Sequence, residues 1–172
     1  FGMPVPQPVL ETVAKTWGGS PADLRALGLL DPYEDMVDHR VTSVRVNDLA
    51  AGRLAPLTAA EAGAIAELAL PALLDAWGGT AGAGRRAAAA DHLLTGLGLL
   101  AGDAGVVAAC APAAVRGLRD AHQPAAAAQL GQAAIALLEQ AGQAPPLGLL
   151  AETAHALQTG GEGAAAAAVL AK

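Results

Sequence analysis

Apolar positions recur at helical spacing along most of the chain. Over residues 8–17, Val9, Leu10, Val13, Ala14 and Trp17 share one helix face, and Gly18-Gly19 ends the run. Ser20-Pro21-Ala22-Asp23 restarts a helix. A hydroxyl stands where it can accept from first-turn amides, proline takes the first helical position, and an acid faces the positive helix end. That helix ends near Gly28. The pattern then changes. Val41, Ser43 and Arg45 alternate with Thr42, Val44 and Val46, the two-residue period of a strand, and Asp31-Pro32 suits the turn before it. This stretch reads as a small β-hairpin. A competing local pattern places a helix at Asp31 to His39, capped by Asp31 with Glu34 three residues on. Both readings stand at this level.

From Leu57 onward the pattern is helical throughout. Thr58-Ala59-Ala60-Glu61 is a capping box, in which hydroxyl and carboxylate each accept an amide that the first turn leaves free. It opens a helix to Trp77, with Pro71 bending it. Gly78 to Gly84 reads as a flexible loop. Further helices are predicted at about Arg85 to Leu100, Asp103 to Asp120, Pro124 to Ala141 and Pro146 to Gln158, with a last one starting near Glu162. Pro112 is expected to kink or split its helix. Short connections between helices of similar length make antiparallel neighbours. The last hairpin resembles a tetratricopeptide repeat, with Leu150, Ala154, Leu157, Gly161, Ala166 and Leu170 at that repeat's packing positions. The preceding helices keep no clean period, so the description is a degenerate helical repeat.

Composition sharpens this. Hydrophobic residues make up 53% of the 172 residues but aromatic ones only 2%, so any core must be built from Ala, Leu and Val. Those residues favour helices and close helix approach, whereas a β-sandwich would need more branched and aromatic side chains. A net charge of -6 argues against a nucleic-acid surface over the whole chain, because phosphate binding needs clustered cations. The single cysteine, Cys110, excludes an internal disulfide framework and suggests a cytoplasmic home. Mean hydropathy is +0.40, yet it comes from alanine. No apolar run reaches the roughly 18 residues of a spanning helix. The longest charge-free stretch, Ala121 to Leu138, is broken by His122, Gln123, Pro124, Gln129 and Gln132, so no membrane partner is expected. The start at Phe1 rather than Met is read as the mark of a fragment.

Candidate chemistry is sparse. There is no phosphate-binding G-x-x-x-x-G-K-[ST] sequence. The glycine-rich run Gly78 to Gly84 follows a helix rather than a strand, which suits a linker better than a phosphate cradle. His39, His92, His122 and His155 are too scattered to make a local metal site. Asp31, Asp35 and His39 would line one face if that segment were helical; a solvated acidic turn is the simpler reading. Asp91-His92 reads as a surface pair and Cys110 as inert core. Trp17 and Trp77, each before Gly-Gly, read as helix-end anchors in the core. No catalytic residue, metal site or cofactor is expected.

One resemblance bears on function. The run LRALGLLDPYED followed by HRVTSVRVNDLAAGRL resembles the winged-helix segment of STAND-class signal-transduction ATPases, the group that includes maltose-regulator-like activators and NB-ARC proteins. The opening FGMPVPQPVLETVA is similar to their entry into that segment. The resemblance implies a mainly α fold, with a winged-helix-like head over residues 1–56 carrying a small β-hairpin. An antiparallel helical-hairpin, tetratricopeptide-like superhelix follows over residues 57–172. In the family a motif histidine senses the nucleotide phosphate. Asn47 stands at that position and can donate a hydrogen bond without carrying charge; Asp48 matches the motif's acid and could cap the helix at Leu49. The nucleotide-binding domain would lie before Phe1, so this chain should not hydrolyse ATP. The expected function is non-catalytic regulation and protein–protein interaction, with a protein partner or the chain's own N-terminal nucleotide-binding domain as the contact. A homo-oligomer would use the same apolar helix faces. Two alternatives remain: a plain helical adaptor, or a DNA-binding regulator with a helical sensor. PQPVLETVAKTWGGSPADLRAL resembles the tail of a repressor-type helix-turn-helix, and Arg40, Arg45 and Arg53 support that last reading.

Overall fold

The computed structural model describes residues 3–34, 43–53, 55–83 and 88–172. The chain forms two compact units, Phe1–Arg86 and Ala87–Lys172. The division does not follow the change in composition after residue 56, because the helix opened by the capping box packs with the first unit.

The first unit begins with strand β1 (Val5–Pro6), helix α1 (Gln7–Trp17) and helix α2 (Pro21–Ala26). Ser20 caps α2 as expected, its Oγ accepting from the Asp23 amide at 3.2 Å. Strands β2 (Leu30–Tyr33) and β3 (Ser43–Val46) follow, paired antiparallel with Leu30 opposite Val46 and Tyr33 opposite Ser43. Strand β1 pairs antiparallel on the other side of β3, giving the order β1-β3-β2. The β-hairpin alternative is thus the one formed. Asp31-Pro32 lies within β2 and not in a turn, and the helix at Asp31 to His39 does not start there; residues 35–42 lie outside the described residues. Pro6 and Pro32 both sit on outer strands, where a missing amide costs the ladder least. Two helices thus lie between the first strand and a two-stranded hairpin whose second strand is central.

Helix α3 (Asp48–Ala51) is a single turn, and α4 (Ala59–Trp77) begins at the capping box. The Glu61 carboxylate accepts from the Thr58 amide at 2.8 Å, and the Thr58 hydroxyl accepts from the Glu61 amide at 3.3 Å. These hydrogen bonds hold the Glu61 carboxyl below its ordinary pKa. Pro71 lies inside α4 without ending it. Helix α4 packs on α1 and β1, so Val5, Val9, Leu30 and Val44 share this unit with buried Ala66, Ala69, Leu70, Leu73 and Trp77. Gly78 closes α4 in the left-handed region at φ 72°. The expected loop over Gly78 to Gly84 instead contains a helical turn, α5 (Thr80–Ala83); Gly84 lies outside the described residues.

Trp17 departs from expectation. It is 47% exposed, because α1 buries its face only at Val9 and its last turn is open to solvent. Trp77 is 6% exposed, as a core anchor should be.

The second unit stacks α6 (Ala88–Ala101), α7 (Ala104–Asp120), α8 (Pro124–Gln140), α9 (Leu147–Thr159) and α10 (Gly163–Leu170). Each packs on the next, and α7 also meets α9. Pro112 does not split α7; its neighbours Cys110, Ala111, Ala114 and Val115 are all buried and hold the helix in place. The core is aliphatic: Val107, Val115, Ile135, Leu138, Leu149, Leu157 and eight buried alanines belong to one cluster. Of the repeat-like positions, Leu150, Ala154, Leu157 and Ala166 are buried, while Leu170 is 57% exposed because Val169 turns inward from the last turn instead.

Within the second unit, four of the described helix ends stop in the same way. The amides of Asp103, Gln123, Gln143 and Glu162 reach back five residues to the carbonyls of Gly98, Leu118, Leu138 and Leu157, over 2.8–3.0 Å. This is the Schellman closure, which needs a left-handed residue just before the donor. Gly102, Gly142 and Gly161 supply it in three cases, and His122, at φ 59°, in the fourth.

Two contacts set how near the helices come. A Cβ on Gly98 would lie 2.9 Å from Val107 Cγ2, and one on Gly131 would lie 2.1 Å from Thr153 Oγ1. Gly131→Ala should therefore destabilise the protein by roughly 1–3 kcal/mol in urea unfolding. Combined with Thr153→Ala it should cost less than the two changes summed; strict additivity would show that α8 and α9 do not meet there. His122→Gly should stabilise the protein by roughly 0.5–1 kcal/mol, since glycine adopts the left-handed conformation without a Cβ penalty. Trp17→Phe should leave blue-shifted emission that resists acrylamide, and Trp77→Phe should leave red-shifted, quenchable emission.

Candidate functional site

Asn47 occupies the motif position singled out in the sequence, and its side chain is engaged at both ends. Its Oδ1 accepts from the Leu49 amide at 3.0 Å, capping α3, and its Nδ2 donates to Asp31 Oδ2 at 3.2 Å. The Asn47 amide donates to the Leu29 carbonyl at 2.9 Å. One residue thus joins the end of β3, the start of β2 and the first turn of α3. An amide side chain suits this place because it can accept from a backbone N–H and donate to a carboxylate at once. Contrary to the sequence reading, which offered Asp48 as the cap, Asp48 does not cap the helix. Asn47 already fills that role, and the Asp48 side chain, 84% exposed, lies 3.6 Å from Arg45. Asn47 and Asp48 are adjacent but point to different partners.

The nearby cations do not gather into one patch among the described residues. Arg45 pairs with Asp48, Arg53 is exposed, and Arg40 lies outside the described residues. Helix α2, which follows α1, carries Asp23 and Arg25. Arg25 donates to Gln7 Oε1 at 2.8 Å, while Leu24 and Leu27 are exposed on the same helix end. Helix α2 thus carries one acid, one base and two exposed leucines at its end.

In the second unit, α7 and α9 are joined by charge. Arg116 Nε donates to Glu152 Oε1 at 2.7 Å, and Arg119 donates to the other oxygen of the same carboxylate. Arg119 also donates to Asp120 at 2.9 Å and lies 3.1 Å from His155 Nδ1. Glu152 is 14% exposed, so two guanidinium groups compensate a largely dehydrated carboxylate. Sequence spacing could not reveal this cluster, because its members lie on two helices separated by a third.

Asp91 is the other surprise. Read as half of a surface pair with His92, it is 7% exposed, while His92 is exposed. It lies in the first turn of α6, near enough to α7 for its charge to act on Cys110, and burial pushes its pKa up. Cys110 is buried as expected, its thiol pushed up to about 11 by burial and then by the charge of Asp91. A thiol so protonated is a poor nucleophile. No group of three or more His, Cys, Asp or Glu side chains among the described residues could hold a metal ion. No described helix is long and apolar enough to cross a membrane.

An apolar groove of about 310 Å³ runs between α8 and α10, floored by Ile135 and Val169 with Ala136, Ala165 and Ala168 along its walls. Lys172 closes one end, its ammonium 2.8 Å from Glu139. No family model, curated protein or solved structure matches this chain.

The raised Asp91 pKa fixes the sign of a pH effect. Protonated Asp91 is favoured in the fold, so its contribution is complete below about pH 3.8 and is lost as pH rises through the raised value. Asp91→Asn should remove that loss. Urea midpoints followed from acid to neutral pH should fall for wild type relative to the variant as pH rises; parallel profiles would show that Asp91 is hydrated.

Proposed function

We propose that this chain is a non-catalytic regulatory and protein-binding part of a larger signalling ATPase of the STAND class. Its winged-helix-like head serves as an intramolecular clamp, and its helical stack binds a protein partner. The observation that carries this reading is the strand order β1-β3-β2 with α1 and α2 between the first two strands. The antiparallel hairpin after two helices accords with the two-stranded wing that the resemblance implies, strand β1 is an addition to it, and stacked helical hairpins follow in the chain. The exposed leucines and balanced charge of α2 support a protein contact there over a nucleic-acid one. The double engagement of Asn47 supports a structural role at the motif position rather than phosphate sensing.

Two measurements test this. The reading frame on the N-terminal side of Phe1 should encode a G-x-x-x-x-G-K-[ST] segment following a predicted strand; a frame without one overturns the assignment to this class. The chain itself should give no shift of duplex DNA in low salt and no ATP hydrolysis. A shift that weakens steeply as salt is raised would instead favour a DNA-binding regulator.

A further inference from the structure

We draw no further inference here: the strongest candidate, the apolar groove between α8 and α10 floored by Ile135 and Val169, carries nothing because it is an unpartnered face bounded by Lys172 and nothing in the structure shows what covers it.

Discussion

The close approach of α8 to α9 at Gly131 is the contact on which the second unit depends. A chain with so few aromatic residues has no large side chains to fill the space between helices. Burial per residue is small when the side chain is alanine, so stability must come from bringing backbones together and gaining many dispersion contacts. Gly131 permits that by leaving room for Thr153, whose hydroxyl donates to the Leu149 carbonyl at 2.7 Å and so enters the core already satisfied. Thr95 repeats the device in α6, donating to the Asp91 carbonyl at 2.7 Å. Both threonines are fully buried, and neither brings an unpaired polar group with it.

Tight packing of short helices needs sharp ends, and the repeated Schellman closure provides them. Each closure satisfies carbonyls that the last turn leaves open and reverses the chain within a few residues. It also fixes where the next helix starts, and therefore which face it presents. His122 performs the step with a side chain that disfavours the left-handed conformation. It does so at the α7–α8 corner, one turn beyond the arginines that join α7 to α9 through Glu152. Helix α7 thus carries a charged clasp to α9 and, at its end, the one closure among the described residues made without glycine.

What the sequence disclosed divides along the line between local and distant causes. The capping box of Thr58 and Glu61, the Ser20 cap and the helix ends at Gly18 and Gly78 depend on neighbours within a few residues, and all were legible. So was the helical stack, whose apolar spacing is periodic. Strand β1 was not, because two residues carry no period; only pairing with Val44 and Ser43 makes Val5-Pro6 a strand. Trp17 and Asp91 were misplaced for a related reason. Hydrophobicity suggested burial for one and charge suggested exposure for the other, but burial depends on what packs opposite. Helix α4 covers α1 near Val9 and leaves its end bare, while α7 lies close to the first turn of α6. The ion cluster around Glu152 was invisible because α8 separates its two helices in the chain.

The site candidates show the same division. Asn47 was singled out by its place in a motif, which says where a residue falls and not what it touches. Its contacts are those of a tie: one end on a backbone amide of α3, the other on the Asp31 carboxylate of the neighbouring strand. Removing such a residue frees a cap, typically about 1 kcal/mol, and also leaves a part-buried carboxylate without its donor. The position therefore couples the hairpin to the chain that leads into α4.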